Sequence, residues 1–274
     1  MRLRNAFLTP AAILMAITML APLAIIVVYS FLTRGAYGGV EHPWTVENFT
    51  RLWDPVYGTI FVRSFWIAAV ATVVCLVLGF PLAMFIARSG SRKNLYLSLV
   101  ILPFWTSFLI RTYAWMFLLR DTGIVNSVLQ ALGVIRQPLP LLYNDGAVIL
   151  GLVYGFLPFM VLPLYATIER LDPSLLEAAA DLGAHPWDTF VRVTLPLCAP
   201  GIRAGAILVF VPCLGTYLTS DLLGGSKTVL IGNVVQNQFT ASRDWPFGAA
   251  LSLALMAIAM LLLLSARNRG EELL

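Results

Sequence analysis

Long apolar stretches alternate with short polar segments along most of this chain. Stretches of about 20 apolar residues match the length of a membrane-spanning helix. We predict six spans, at about Ala11–Val28, Phe65–Ala87, Leu95–Leu119, Ala147–Ile168, Ile202–Thr219 and Phe247–Ala266. The pattern therefore predicts an all-α, multi-pass membrane protein with six transmembrane helices and little folded mass outside the bilayer.

Basic residues near the span ends indicate the orientation of the chain. They flank the first and last spans and crowd the short loop after the second, at Arg2, Arg4, Arg88, Arg92, Lys93, Arg267 and Arg269. Because loops rich in Lys and Arg stay on the cytoplasmic side, we place both termini inside. The first span is too long for a signal peptide and lacks a convincing cleavage site, so we expect it to be retained.

Three polar segments fall on the predicted outer side. Residues 34–63 contain several aromatic residues and are expected to include an amphipathic helix at the membrane interface. A second outer segment runs over residues 120–145. A third covers residues 220–246, with a short helix near Leu230–Phe239.

The longest polar segment on the inner side is Ser174–Pro196. Ser174 with Glu177 forms a capping-box pattern that starts a helix at about Leu175, and Pro173 fits the first turn of that helix equally well. Gly183 is a natural stop for this helix. A second helix is expected from Pro186 to about Leu195-Pro196.

This inner segment and its flanks are unusually acidic. The acids are Glu169, Asp172, Glu177, Asp181 and Asp188. Acidic residues count little in orienting a chain, so the predicted topology stands. A partner protein with basic residues would account for the acids.

Composition narrows the class of protein further. Only 12% of the 274 residues are charged, against about 25% in soluble domains. The histidines and cysteines are isolated and suggest no metal site or disulfide framework, at His42, His185, Cys75, Cys198 and Cys213. We therefore expect no catalytic site, metal or cofactor in this chain.

No energy-yielding motif is visible. Gly224–Lys227 resembles the end of a phosphate-binding loop but lacks the earlier glycine and the hydroxyl residue after the lysine. Any uphill transport must draw on an ion gradient or on another subunit. The scarcity of acids within the spans, and the lack of an obvious repeat, disfavour an ion-coupled secondary carrier working alone.

The inner segment resembles the cytoplasmic EAA loop of ABC-importer permeases. The matching positions are Glu177-Ala178-Ala179, Gly183, Val193 and Leu195-Pro196, with valine at position 193 where isoleucine is usual. The resemblance implies the type I ABC importer permease fold. It also implies one permease domain over residues 1–274, with a cytoplasmic coupling loop at 174–196 whose short helix docks into an ATPase subunit.

The resemblance extends to the permeases of polyamine importers, of the PotB type, over most of the chain from the second span onward. It rests on Pro103–Ser107, Ile110–Tyr113, Gly151–Tyr154, Leu157–Met160, Ser220–Leu222, Gly224-Gly225, Ile231–Val234 and Arg243–Gly248. It implies a bacterial inner-membrane subunit that imports spermidine or putrescine. The implied partners are a second, PotC-like permease in a heterodimer, two ATPase copies that bind ATP and Mg²⁺, and a periplasmic binding protein.

Candidate residues follow for each role. Coupling to the ATPase is expected at Glu177, Ala178, Ala179, Asp181, Gly183, Leu195 and Pro196. A polyamine needs carboxylates for its ammonium groups and aromatic faces for its stem, so Asp221 and Tyr217 are the first candidates for the substrate pathway. Asp121 and Asp145 are weaker acids at the outer rim, and Trp105 and Tyr113 either line the route or pack against neighbours.

Arg111 lies within the third predicted span. Phe104, Phe108, Arg111 and Trp115 fall on one helical stripe, and a cation suits a cation's route poorly. We therefore expect a structural ion pair or a helix–helix contact for Arg111. Two alternatives to polyamine import remain open: the same type of importer for another small organic cation or amino-acid derivative, and an ion-coupled carrier.

Overall fold

The computed structural model describes the backbone of residues 2–271, and the side chains of residue 10 and of residues 13–264. The side chains of Arg2, Arg4, Arg267 and Arg269, which entered the predicted orientation, lie outside the described residues. The sheet in the described part of the chain is a two-stranded antiparallel hairpin.

The elements follow one another in chain order as below. They are α1 Arg2–Ser30, β1 Thr33–Arg34, β2 Val40–Glu41, α2 Glu47–Arg51, α3 Pro55–Ala87, α4 Lys93–Ile101, α5 Phe108–Leu119, α6 Ile124–Ala131, α7 Asp145–Ile168, α8 Pro173–Asp181, α9 Pro186–Thr189, α10 Leu195–Leu197, α11 Ala199–Gly215, α12 Ile231–Phe239 and α13 Trp245–Glu271. Short 3₁₀ turns lie at Gly90–Arg92, Leu102–Trp105 and Gly225–Lys227, and π-helical turns at Phe190–Thr194 and Ser220–Gly224.

Four helices are long and apolar enough to cross a membrane by themselves: α1, α3, α7 and α13. Two further spans are possible as bent pairs. Gly90–Trp105 with Phe108–Ala131 is bent by 88°, and Pro186–Leu197 with Ala199–Gly215 is bent by 65°. By length and composition the described chain therefore supports up to six spans, as predicted, but two of them are broken.

Several predicted boundaries are wrong. Helix α3 begins ten residues before Phe65, at Pro55, so the polar residues ahead of the second span belong to the same helix. The predicted straight span Leu95–Leu119 breaks at Thr106-Ser107, where the backbone is extended. The interfacial helix expected within residues 34–63 is only the five-residue α2. The prediction of a short helix near Leu230–Phe239 is confirmed, since α12 runs over Ile231–Phe239.

The chain divides into two compact units. The first combines the chain up to Ile60 with Ile231–Leu262. In this unit the buried Asn48 side-chain amide donates to the carbonyls of Ser30 and Leu32, both at 2.9 Å, and so ties α2 to the end of α1. Arg51 forms a 2.9 Å ion pair with the buried Asp244 and lies 4.0 Å over the Phe247 ring.

The second unit contains Phe61–Leu230 and is organised around α7. Half of the 24 residues of α7 are buried. Helix α11 approaches it most closely because glycines face the contact. A Cβ on Gly201 would lie 2.9 Å from the Pro163 carbonyl oxygen and 2.5 Å from the Thr167 hydroxyl, and one on Gly205 would lie 2.6 Å from the sulfur of Met160.

The two ends of α7 are held by side-chain contacts. At its start, Asp145 accepts hydrogen bonds from Arg63 of α3 and from Thr228, both at 2.6 Å. After its end, Glu169 pairs with Lys93 at the start of α4. The first set joins segments predicted outside and the second joins segments predicted inside, which is consistent with the predicted topology.

The close approach of α11 to α7 makes Gly201 intolerant of a side chain. We expect Gly201→Ala to lower the free energy of unfolding by about 1–3 kcal/mol, because the added methyl group meets a backbone carbonyl that cannot move aside. Thermal and denaturant unfolding of the detergent-solubilised protein measure this. Gly215→Ala is the matched control in the same helix, because a Cβ there meets nothing within 4 Å. Equal stability of the two variants would contradict this packing.

Candidate functional site

The start of α8 differs from the predicted capping box. Pro173 occupies the first turn, and the side chain of Asp172, not Ser174, caps the helix by accepting a 3.0 Å hydrogen bond from the Ser174 backbone N–H. This hydrogen bond lowers the pKa of the Asp172 carboxyl. Glu177 is thereby released from the capping role predicted for it and remains exposed.

Gly183 ends α8 as predicted. Its φ is +77°, and its N–H donates to the Ala180 carbonyl at 2.9 Å while the Ala184 N–H donates to the Ala179 carbonyl at 3.0 Å. This pair of hydrogen bonds is the Schellman motif, which favours glycine because other residues rarely adopt a positive φ. The chain therefore turns sharply away from α8 at a fixed angle.

The second limb of the loop is not one regular α-helix. Pro186 opens α9, and the His185 ring accepts a 3.4 Å hydrogen bond from the Trp187 N–H. The five residues Phe190–Thr194 then form a π-helical turn, followed by α10, which ends at Leu197. The limb thus continues beyond the predicted end at Pro196 and leads into α11 through a bend.

Two contacts fasten the loop to the helices of its unit. The Phe190 ring packs edge-on against Phe80 of α3, with centroids 5.4 Å apart. The Lys93–Glu169 pair, which sequence reasoning missed, fixes the end of α7 four residues before α8 begins. The hydrogen bond from Lys93, together with one from Tyr165, holds the pKa of the Glu169 carboxyl below its usual range.

The acidic residues of the loop divide into two groups. Three have partners within the chain: Glu169 with Lys93, Asp172 with the α8 backbone, and Asp188 with Arg192 at 3.6 Å. Glu177 and Asp181 are exposed, and among the described residues neither is in an ion pair. They stand four residues apart on one face of α8, where like charges repel. Glu177 and Asp181 are therefore the part of the acidic excess that no described residue of this chain compensates.

A shallow groove runs beside α8. It has a volume of about 400 Å³ and is lined chiefly by Leu175, Ala178, Ala179, Leu182, Val193 and Leu197. No residue of α8 is buried, and Leu182 is 88% exposed. An exposed apolar groove next to an uncompensated pair of carboxylates is typical of a surface that binds another protein. Of the predicted coupling residues, Ala178, Ala179 and Pro196 line this groove.

The structure brings the first two pathway candidates together. Asp221 lies in the π-helical turn Ser220–Gly224, and its N–H donates to the Tyr217 carbonyl at 2.9 Å. Both side chains are exposed. This turn packs against α7, where a Cβ on Gly151 would lie 2.4 Å from Leu223. The Asp221 side chain is therefore exposed on one side of a turn whose other side packs against α7.

The weaker acids at the predicted outer rim are separate from Asp221. Asp121 lines a recess of about 580 Å³ together with Arg120, Tyr143 and Lys227. Asp145 is held by Arg63 and Thr228. Its carboxylate therefore has a structural role at the start of α7.

The aromatic stripe on α5 and the turn before it packs against α7. Ring pairs lie 5.3–6.4 Å apart, namely Phe104–Phe159, Phe108–Phe156 and Trp115–Tyr154. Trp105 and Tyr113 lie off this contact, and their side chains are 86% and 40% exposed.

Arg111 was expected to form either an ion pair or a helix–helix contact, and the described residues show the second of these. Its guanidinium lies 4.7 Å from the centroid of Phe104 and 5.7 Å from that of Phe108. Within the described part of the chain no carboxylate pairs with it, and its Nε and Nη1 atoms are buried without a hydrogen bond. The expected ion pair is therefore absent there, and cation–π contacts take its place. Through Phe104, Arg111 takes part in the contact with α7.

These features define a membrane-embedded helical protein with one elaborated loop suited to bind a partner. Residues 77–268 match the family described as "Binding-protein-dependent transport system inner membrane component". The match covers more than half of the chain. The chain belongs to this family and is a transport component of an inner membrane.

Relatives support the same assignment at high coverage. The chain is 48% identical over 244 residues to "Spermidine/putrescine transport system permease protein PotB" of Escherichia coli (strain K12), covering 89% of each sequence. It is 44% identical over 256 residues to the protein of the same name from Haemophilus influenzae, covering 93% of this chain and 89% of the relative.

The fold also matches a solved structure. One chain of a bacterial alginate ABC transporter, crystallised in complex with an alginate pentasaccharide-bound periplasmic protein, superposes with a TM-score of 0.79. The match covers 99% of this chain and 94% of that one at 19% identity, so it supports the fold alone. The predicted type I ABC importer permease fold is confirmed.

The elbow after α8 depends on the positive φ of Gly183. We expect Gly183→Val to loosen the last turn of α8, because a β-branched residue is costly in this conformation. Hydrogen exchange of the amides of residues 178–184 should become faster. Gly183→Asn is the matched control, since asparagine tolerates the left-handed region and a Cβ meets nothing within 4 Å there. The same protection in both variants would show that the elbow does not depend on glycine.

Proposed function

We propose that this chain is a permease subunit of an ATP-driven importer of polyamines such as spermidine and putrescine. Family membership, and relatives of 44–48% identity named as spermidine/putrescine permeases, support this assignment. In the proposed machine a periplasmic binding protein delivers the substrate, and a second, PotC-like permease completes the pathway. Both termini of this chain lie on the cytoplasmic side.

ATP hydrolysis is assigned to a partner. A pair of ATPase subunits binds ATP and Mg²⁺, and this chain supplies no catalytic group and no cofactor site. Among the described residues no cluster of His, Cys, Asp and Glu could hold a metal ion. The energy therefore reaches the pathway mechanically, through a contact between the permease and the ATPase.

The loop between α7 and α11 is the proposed contact. The observation that carries the proposal is the exposed face of α8, where two carboxylates that form no ion pair with any described residue stand beside an apolar groove. Leu182 and the groove supply apolar area to bury, and Glu177 and Asp181 supply charge for arginine or lysine side chains of the ATPase. The capped start and the Schellman end keep α8 rigid, so that a push on it moves the end of α7.

Substrate passage is assigned to the face that carries Asp221. A carboxylate matches the ammonium groups of a polyamine, and the nearby Tyr217 offers a ring for its methylene stem and for cation–π contact. Trp105 and Tyr113 are further aromatic candidates, because both remain exposed in this chain. Asp121 is assigned a secondary role at the outer rim.

The coupling proposal predicts the effect of reversing one charge. Glu177→Lys should abolish uptake of radiolabelled spermidine, and ATP hydrolysis should cease to respond to the loaded binding protein. The lysine would meet the basic partner surface, whereas within the chain it would relieve the repulsion with Asp181. A folding defect is therefore not expected.

Glu47→Lys is the matched control for this experiment. It makes the same charge change at an exposed position in the first turn of α2, on the predicted outer side. Membrane insertion of both variants is checked by immunoblot of the membrane fraction. Normal uptake by Glu177→Lys would refute the assignment of α8 as the contact with the ATPase.

The substrate assignment predicts a loss of affinity without a loss of the transporter. Asp221→Asn should raise the concentration of spermidine needed for half-maximal uptake by about ten-fold, as expected for the loss of one charge-assisted contact. Glu47→Gln, the same change at an exposed acid that is not among the proposed pathway residues, should leave uptake unchanged. If the affinity and rate of Asp221→Asn equal those of the unmodified protein, Asp221 is not a substrate ligand.

A further inference from the structure

A recess of about 510 Å³ lies at the predicted inner ends of α3, α4 and α7, directly beneath α8. Its walls are mostly apolar and include Met84, Ile168, Leu171 and Leu176. Its charged groups are Arg88, Lys93 and Glu169, and Thr194 adds a hydroxyl group to the lining. The candidate coupling surface described above does not use this recess, since the groove beside α8 has a separate lining.

The charged groups of the recess carry a net positive charge. Glu169 is neutralised by its ion pair with Lys93. Arg88 is exposed, and among the described residues no carboxylate forms an ion pair with it. A ligand entering the recess therefore meets one uncompensated guanidinium and an ammonium shared with Glu169. This arrangement suits an anion of low charge.

Exposed apolar side chains lie close in sequence to the charged residues of the recess. Phe85 stands one turn before Arg88 on α3, with its side chain 55% exposed, and Leu95 and Leu99 are exposed on α4. In a span these side chains contact lipid tails. Basic pockets between spans on the cytoplasmic side are suited to anionic lipid headgroups. The recess therefore places a cationic group near the ends of helices that carry exposed apolar side chains.

We propose that this recess binds the headgroup of an anionic phospholipid, with the first part of an acyl chain along Met84 and Ile168, near the ends of α3 and α7. Arg88 contacts the phosphodiester, and Lys93 contributes when its interaction with Glu169 weakens. Because Pro173 and Leu176 of α8 form part of the lining, the bound lipid touches the helix that we assign to coupling. The lipid would thereby influence the position of α8; only this consequence rests on the proposed function.

Direct binding tests the site without any transport measurement. The purified, delipidated full-length chain is titrated with dioleoyl phosphatidylglycerol and observed by native mass spectrometry. Arg88→Gln should weaken binding by about five-fold, the contribution of one cation near an anionic lipid. Arg92→Gln is the matched control, because Arg92 is an exposed cation of the same loop that does not line the recess. Its binding should stay within about two-fold of the unmodified chain.

A third variant has the opposite expected sign. Glu169→Gln removes the carboxylate from the recess and releases Lys93, so it should tighten phosphatidylglycerol binding, whereas a merely structural disturbance would weaken it. Weaker binding in this variant, or equal losses in Arg88→Gln and Arg92→Gln, would overturn the proposal. Because no step requires the ATPase, failure here would leave the coupling proposal untouched, and failure of Glu177→Lys would leave this site untouched.

The source of the anion is distinguished by two further titrations. Phosphatidylethanolamine, which has no net charge, should bind at least about five-fold more weakly than phosphatidylglycerol if the cationic end matters. Soluble glycerol phosphate should fail to displace the lipid, because it lacks the acyl chain that contacts the apolar wall. Equal binding of phosphatidylethanolamine, or full displacement by glycerol phosphate, would each contradict an anionic-lipid site.

Discussion

The close packing around α7 is the constraint on which the second unit depends. In a bilayer, apolar side chains gain little by leaving lipid for one another, so helices associate where small residues allow close contact. Gly201 and Gly205 of α11 supply this contact on one side of α7, and Gly79 of α3 faces Met160 and Val161 on another. Asp145 and Glu169 hold the two ends by ion pairs. The loop that follows α7 is therefore attached to the most constrained helix of its unit.

Much of the fold could be predicted because lipid demands long apolar segments, and such segments are visible in the sequence. Their ends could not, because they depend on distant partners. Helix α3 extends back to Pro55 and includes Arg63, which is compensated by Asp145, 82 residues away. On both sides of the break at Thr106-Ser107, Phe104 and Phe108 pack against rings of α7, contacts that the sequence does not show. The cap of α8 was within reach, since Pro173 in the first turn makes Asp172 the natural capping residue.

The five acidic residues of the loop have different roles, and the role of each depends on its partners within the chain. Five acids in one segment predicted a basic partner for all of them, yet Glu169, Asp172 and Asp188 are satisfied within the chain. Among the described residues, Glu177 and Asp181 are the two of these five acids with neither an ion pair nor a capping hydrogen bond. The four-residue spacing placed Glu177 and Asp181 on one helical face, but the sequence could not show that the other three acids have partners within the chain. The structure thus reduces a general acidic character to two carboxylates with a common orientation.

Helix α8 lies between two unlike surfaces, and this position suits the proposed transmission of motion from the ATPase to α7. On one side Leu175 and Leu182 line the groove assigned to the ATPase, and on the other Leu176 lines the recess assigned to lipid. None of its residues is buried, so few contacts oppose a change in its tilt, while its capped ends oppose unwinding. A rigid helix with few packing contacts shifts as one body when it is pushed. Because α8 begins four residues after Glu169, which holds the end of α7, the proposed coupling carries that displacement to α7 and to the contacts packed around it.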